Sequence, residues 1–352
     1  MKRPLFALFV MAALGLSALS GTSTKTREPF AGTTGAKAAP LAYVANICSN
    51  TVSVINTVSN SVISTVEVGA GPTGVAVAPH APRVYVTNSA SSSVSVINAA
   101  TNTVTAAVPV GSRPGAVAVT PDGSRAYVAN TGSNSVSVID TATNSVIATV
   151  PDDMAGPQGV AVAPDGSHIY VANQSVGTVS VIDTTTNAVV ATVVVGAGPF
   201  GIAVTPDGSR VYVANAASST VSVIDAATNT VTATVPDDGA GPVGVAVAPD
   251  GSRVYVTNQG ASTLVLIDSA TNTVIATVGM VPPGHPIGVA VTPDGSRVYV
   301  VNSGFGFPPA CVSGTVSAID AATNTVISTV MVGIGPTSLG KFITPRPLPG
   351  RT

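Results

Sequence analysis

The sequence predicts an all-β fold, a seven-bladed β-propeller with four antiparallel strands per blade. Three observations carry this expectation. The tetrapeptide Tyr-Val-x-Asn occurs at residues 43–46, 85–88, 127–130, 170–173, 212–215, 255–258 and 299–302, and it uses all seven tyrosines of the chain. Successive tyrosines lie 42 to 44 residues apart, the period of one blade. The intervening sequence is rich in Val, Ala and Thr, and 35 Gly and 27 Pro divide it into short runs, as expected for strands joined by tight turns.

The N-terminus precedes this pattern. Lys2 and Arg3 give a positive start, residues 5–19 are apolar, and Ala18 and Ser20 are small residues suited to cleavage after Ser20. Residues 1–20 are therefore expected to be an export signal, and 21–40, without periodicity, a flexible leader. The propeller is expected over 41–343 and a tail over 344–352. Beyond residue 20 the apolar runs are too short to span a bilayer, which argues for no membrane span after the signal is removed. Net charge is −2, and the chain has no tryptophan and no basic groove-forming run, so nucleic-acid binding is not expected.

Residues 201–241 show one period in full. Gly201–Val204 is the first strand, A, nearest the axis. Thr205-Pro-Asp-Gly-Ser209 is a turn in which Pro presets φ, Asp bonds back to the backbone and Gly takes positive φ. Val211–Asn215 is strand B, Val221–Asp225 strand C and Val231–Val235 strand D. The single tyrosine per period is expected to fill the gap between blades, with its hydroxyl bonded near the rim. The Asn is expected to cap the B–C loop. The chain enters on strand B at Tyr43 and ends on a degenerate strand A near 338–343. The C-terminal strand A is therefore expected to join the N-terminal strands B, C and D, closing the ring and removing an open sheet edge.

The Tyr-Val-Thr-Asn sequences at 85–88 and 255–258, with the Gly-Val-Ala-Val, Pro-Asp-Gly-Ser-Arg, Val-Ser-Val-Ile-Asp and Ala-Thr-Asn-Thr-Val elements around them, resemble the YVTN-repeat β-propeller family. The resemblance spans about residues 41–343. It implies an exported protein of the periplasm, cell surface or medium. Related seven-bladed propellers include lactone hydrolases, haem proteins and nucleic-acid binders, but none of their catalytic motifs can be aligned residue by residue with this chain.

Residues that recur in register belong to the scaffold. What remains is sparse. Glu67, Arg113, Asp152, Asp153, Asp237, Asp238 and His285 lie in D-to-A connections, which open on one face around the mouth of the central channel. With Phe200 in the same type of loop, they form the candidate ligand site. The two Pro-Asp-Asp loops have the oxygen ligands a Ca²⁺ ion needs, but the same sequence is also ordinary turn chemistry, so no cofactor is expected and Ca²⁺ is the alternative. No second His lies in a matching loop, which argues against zinc. Phe305 and Phe307, in the enlarged B–C loop of blade seven, are candidates for partner contact. Cys48 and Cys311 lie in B–C loops of the first and last blades, which closure makes neighbours; in an exported protein this favours a disulfide. The expected function is a monomeric, non-catalytic binding or surface-scaffold protein for an unidentified protein or small molecule. The alternative is a metal-dependent lactonase-like or lyase-like enzyme using the same channel mouth.

Overall fold

The structure, a computed structural model, describes residues 39–151, 155–237, 241–280, 284–304 and 311–344. The expected signal, most of the leader and tail, and Asp152, Asp153, Asp238, Phe305 and Phe307 lie outside these residues. Blade one supplies β1 (Leu41–Asn46), β2 (Thr51–Asn56) and β3 (Ser61–Glu67). Blade two is β4 (Pro72–Val77), β5 (Arg83–Asn88), β6 (Ser93–Asn98) and β7 (Thr103–Pro109); blade three is β8 (Pro114–Val119), β9 (Arg125–Asn130), β10 (Ser135–Asp140) and β11 (Ser145–Pro151). Blade four is β12 (Pro157–Val162), β13 (His168–Asn173), β14 (Thr178–Asp183) and β15 (Ala188–Val194); blade five is β16 (Pro199–Val204), β17 (Arg210–Asn215), β18 (Thr220–Asp225) and β19 (Thr230–Pro236). Blade six is β20 (Pro242–Val247), β21 (Arg253–Asn258), β22 (Thr263–Asp268) and β23 (Thr273–Gly279); blade seven is β24 (Pro286–Val291), β25 (Arg297–Asn302), β26 (Ser313–Asp320) and β27 (Thr325–Ile334). Within each sheet the strands pair antiparallel in chain order. Among the described residues no helix is long and apolar enough to cross a membrane.

Blade one lacks only an inner strand, and the C-terminus supplies it. Pro336 pairs with Asn46 and Ile343 with Ala42, both antiparallel. Tyr43 N donates to Phe342 O at 2.8 Å, and Thr344 N to Leu41 O at 2.9 Å. The first and last turns of this pairing are regular, but the middle is not. Seven residue steps from 336 to 343 oppose four from 42 to 46, so three residues bulge out between them.

The second and third strands of each blade are buried on both faces, whereas the outer strand alternates between exposed and covered residues. The valine runs of the middle strands follow from this, because sheets packed face to face leave no solvent side there. Glycine in the inner strands answers a tighter demand. A Cβ on Gly74 would lie 2.5 Å from the Gly115 carbonyl oxygen, and Gly201, Gly244 and Gly288 approach the next blade's carbonyls still more closely. No Cβ fits at these four positions, although Ala116 and Ser338 stand at the equivalent position in blades three and one.

One repeated contact joins blade to blade. The tyrosine of each second strand is buried. In four of the seven blades its hydroxyl donates to the asparagine in the C–D turn of the following blade: Tyr43 to Asn102 Oδ1 at 3.2 Å, Tyr127 to Asn187 Oδ1 at 3.0 Å, Tyr212 to Asn272 Oδ1 at 2.8 Å, and across the seam Tyr299 to Asn60 Oδ1 at 2.6 Å. Burial pushes the phenols' pKa up, so they stay protonated donors. The arginine two residues before the tyrosine donates to a backbone carbonyl in the same turn, as Arg253 does to Ala321 O at 2.8 Å. The asparagine of the tetrapeptide acts within its own blade instead. Asn88 Nδ2 donates to Ser93 and Ser95 of the third strand at 3.1 and 3.0 Å.

Cys48 and Cys311 are joined by a disulfide between the first and last blades, with Cα atoms 5.7 Å apart and a sequence separation of 263. Chain entropy assigns a loop this long about 5 kcal/mol, and removing native disulfides costs about 2–5 kcal/mol. Reduction, or Cys48→Ser, is therefore expected to lower unfolding free energy by that amount, measured by guanidinium titration; equal midpoints with and without reductant would exclude a role at the seam. A second prediction concerns acid. The Thr120 hydroxyl, then the Ser124 amide, hold the Asp122 carboxyl down to about 2, and Thr205 and Ser209 do the same for Asp207. These folded values lie below the ordinary 3.8. Their stabilisation is thus complete above that value and is lost as pH falls through about 2. The Asp122→Asn/Asp207→Asn variant should melt lower at neutral pH and lose less stability on acidification. Parallel acid limbs for variant and parent would refute this.

Candidate functional site

The mouth of the central channel is built from two positions of the repeat. The first follows the tetrapeptide's asparagine. The amide of this residue donates to the carbonyl of the residue that precedes the inner strand's proline: Ser89 to Gly71 at 2.8 Å, Thr131 to Arg113 at 3.1 Å, Gln174 to Gly156 at 3.1 Å, Ala216 to Gly198 at 2.9 Å, Gln259 to Gly241 at 3.1 Å, Ser303 to His285 at 3.1 Å and Ile47 to Gly335 at 2.9 Å. The second position follows the proline itself. Together the two positions form two rings of seven residues, and all fourteen line one cavity of about 490 Å³, with Arg113, Pro114 and Leu339 completing it. The backbone of these rings is set by the repeat, while the side chains differ from blade to blade.

The lining is divided. Ser89, Arg113, Thr131, Gln158 and Gln174 come from blades two to four, and Gln158 Nε2 donates to Gln174 Oε1 at 3.1 Å. Facing them, Phe200, Ala216, Val243, Ile287, Leu339 and Ile47 make a mostly apolar wall, broken by Gln259, Ser303 and Thr337. One side thus offers a guanidinium, amides and hydroxyls, and the other an aromatic ring and aliphatic surface. Neither includes a carboxylate among the described lining residues. Among the described residues, no group of three or more His, Cys, Asp or Glu is gathered as for a metal. Asp152, Asp153 and Asp238, the carboxylates a Ca²⁺ ion would draw on, lie outside the described residues.

The residues singled out from sequence divide accordingly. Arg113 and Phe200 line the cavity. His285 sits at the position in its blade that Arg113 occupies in blade three; it is half-buried, and its carbonyl also accepts the Ser303 hydroxyl at 3.2 Å. Glu67 ends the outer strand β3, exposed and opposite Thr51, away from the axis. Asp237 does not reach the cavity either. It is 7% exposed, and its Oδ1 accepts from Asn258 Nδ2 at 2.8 Å. Blade six explains this: Val265 stands where the other blades carry the serine that holds this asparagine, such as Ser222. Asp237 supplies the missing acceptor, so its role is structural.

Backbone conformation separates Arg113 and His285 from the rest. The residue before the inner-strand proline adopts positive φ in every blade: 67° at Gly71, 69° at Gly156, 67° at Gly198, 73° at Gly241 and 63° at Gly335. Arg113 and His285 hold the same conformation at 48° and 66° without being glycine. Non-glycine residues there are strained by about 1–2 kcal/mol. The uncharged ring residues, by contrast, carry no such mark. Their signal in the sequence is variability at two fixed repeat positions, which a search for ionisable groups passes over.

The fold is shared with proteins of known structure. Hydrazine synthase of Kuenenia stuttgartiensis superposes with a TM-score of 0.71 over 87% of this chain and 99% of its own, at 24% identity. Dihydro-heme d1 dehydrogenase NirN, in complex with DHE, superposes with a TM-score of 0.62 over 84% of this chain and 74% of its own, at 15% identity. At these identities the likeness concerns the fold alone. No curated protein matches the sequence. Residues 47–189 and 183–304, most of the propeller, match the family described as lactonase, 7-bladed beta-propeller. The chain belongs to this seven-bladed lactonase family.

Proposed function

We propose that the propeller is a binding protein whose mouth cavity takes a small amphipathic molecule with an anionic or carbonyl-bearing head. One observation carries this reading: the side chains that vary within an otherwise repeated framework converge on one cavity, polar on one wall and apolar on the other. Arg113 and the Gln158–Gln174 pair would hold the head, and Phe200, Val243, Ile287 and Leu339 the apolar part. A guanidinium bonding an anion contributes about 1.5–3 kcal/mol. The Tyr-Val-x-Asn repeats support kinship with the YVTN-repeat propellers. The apolar N-terminus with Lys2 and Arg3, and the disulfide, support export to an oxidising compartment.

Family membership favours a second reading, lactone hydrolysis in the same cavity. The carboxylates it would draw on are Asp152, Asp153 and Asp238 of the neighbouring D-to-A loops. Release of acid from γ-octalactone, followed at constant pH with and without added Ca²⁺, separates the two: turnover supports the enzyme, and reversible binding without turnover supports the receptor.

Octanoate is a suitable probe of the head-and-tail arrangement. Calorimetric titration is expected to show saturable binding that Arg113→Gly weakens at least tenfold, in line with about 1.5 kcal/mol or more for the lost charge-assisted bond. The same substitution relieves left-handed strain and is expected to raise unfolding free energy by about 1 kcal/mol. Unchanged octanoate affinity in Arg113→Gly, or no saturable binding by the parent protein, would remove the proposal.

A further inference from the structure

The disulfide at the seam reaches the mouth cavity from both of its ends. Cys48 directly follows Ile47, which lines the cavity. Cys311 belongs to the connection that begins at Ser303, also a lining residue. Gly335 stands between the two ends. Its carbonyl accepts the Ile47 amide at 2.9 Å, and its own amide donates to the carbonyl of Val312, next to Cys311, at 2.9 Å. The Cys48 amide adds a bond to Ile334 O at 3.1 Å. The path from Cys311 through Val312, Gly335 and Ile47 to Cys48 is therefore a closed ring, made by two backbone hydrogen bonds and one S–S bond.

Packing around this ring is tight. A Cβ on Gly335 would lie 2.9 Å from Ile47 Cγ2 and 3.2 Å from Cys48 Sγ. A Cβ on Gly314 would lie 2.4 Å from Pro336 Cγ, and Thr337, which follows that proline, is again a lining residue. Ile47, Ser303 and Thr337 thus make one stretch of cavity wall that the seam positions. Elsewhere the amide of the residue before the inner-strand proline is held by a side chain of the preceding blade's B–C loop. Gly71 is held by Asn50 Oδ1 at 2.9 Å, and Gly156 by Asn134 Oδ1 at 3.0 Å. At the seam the carbonyl of Val312 takes that place, and the disulfide beside it ties this part of blade seven to blade one.

We propose that the Cys48–Cys311 disulfide is a redox control on ligand binding at the mouth, an inference that rests on the binding reading above. Cys311 is exposed and Cys48 half-buried, so an external thiolate reaches the Cys311 sulfur first, and exposed disulfides are the exchangeable ones. With a dithiol reductant, one thiolate attacks Cys311 Sγ, the bond between the two cysteines breaks, and the Cys48 sulfur leaves as a thiolate that takes up a proton. The second thiol of the reductant then displaces Cys311 from the mixed disulfide. Two electrons and two protons pass to the protein, which gains two thiols, and the reductant leaves as its own disulfide. Strand pairing and the Tyr299–Asn60 bond still close the propeller. What opens is the covalent side of the ring around Gly335, so that Ile47 and Val312 keep single backbone bonds that break independently. The wall that includes Ile47 loses preorganisation, and ordering it on binding lowers affinity.

Calorimetric titration with octanoate tests this on the full chain, oxidised and after reduction with dithiothreitol, with circular dichroism recorded on both forms at the assay temperature. The reduced protein is expected to stay folded and to bind about fivefold more weakly, the scale on which ordering one or two contact side chains acts. Reoxidation is expected to restore the affinity. Cys48→Ser/Cys311→Ser is expected to bind like the reduced parent and to be indifferent to dithiothreitol. Equal affinity in the oxidised and reduced parent, or a double variant that binds as tightly as the oxidised parent, would overturn the proposal and leave the mouth site standing. So would a folded protein that dithiothreitol does not reduce, or one that unfolds on reduction at the assay temperature. Absence of octanoate binding by the oxidised parent would remove the mouth site and this inference with it.

Discussion

Blade-to-blade attachment in this molecule rests on a buried tyrosine set against the next blade's left-handed turn, its hydroxyl bonded to the turn's asparagine at four of the seven joints. The two halves constrain each other. The C–D turns hold φ between 50° and 57° at Asn60, Asn102, Asn144, Asn187, Asn229, Asn272 and Asn324. Asparagine tolerates this conformation better than most side chains, and glycine, which tolerates it best, has no oxygen to accept the phenol. The phenol in turn is buried and must find a partner. The bond from a tyrosine to an asparagine about 60 residues further on forms from Tyr43, Tyr127 and Tyr212 and, across the seam, from Tyr299 to Asn60, whereas Asn144, Asn229 and Asn324 accept no such bond. The neighbouring arginine reinforces the same joint through a backbone carbonyl, so this second bond does not depend on which residue occupies the turn.

Because the same tyrosine–asparagine joint recurs at the seam, closure asks for little that is new. The missing piece is an inner strand, and the C-terminus brings one with three residues to spare. The disulfide from Cys48 to Cys311 lies on the B–C loop side of that seam, where chain connectivity is absent. The result is a platform fixed on every side. Side chains at the mouth can differ from blade to blade without affecting it, because amide-to-carbonyl bonds, and not side chains, position the ring that follows each asparagine. Repetition thus supplies rigidity, and variation at two positions per period supplies chemistry.

Much of this was legible in the residues. Seven tetrapeptides at a constant period specify seven blades, and a chain that starts on a second strand must finish on a first. Arg113 and Phe200 were visible as departures from the repeat. The bulge at 339–341 was not, because the degenerate copy near 338–343 gives no register until its partners Ala42 and Asn46 are known. The ring of Ser89, Thr131, Gln174 and Gln259 was hidden for a different reason. Its members are uncharged and unremarkable singly, and only their shared position after the asparagine brings them together. Asp237 misled because charge and rarity are the marks of a site, yet its cause lies 28 residues away, in a valine where the repeat has serine.

Asp237 and Arg113 show how departures from a repeat can be told apart. Asp237 departs together with Val265, and the pair restores a hydrogen bond that the framework needs, so the change is neutral to the fold. Arg113 departs alone and makes its own position worse, since it holds φ of 48° where five other blades use glycine. Nothing in the framework requires that strain, and the side chain points its consequence at the cavity, which it lines. A compensated departure maintains the scaffold. An uncompensated one lowers stability, and Arg113 places that cost at the mouth, where the proposed ligand would supply what the protein does not.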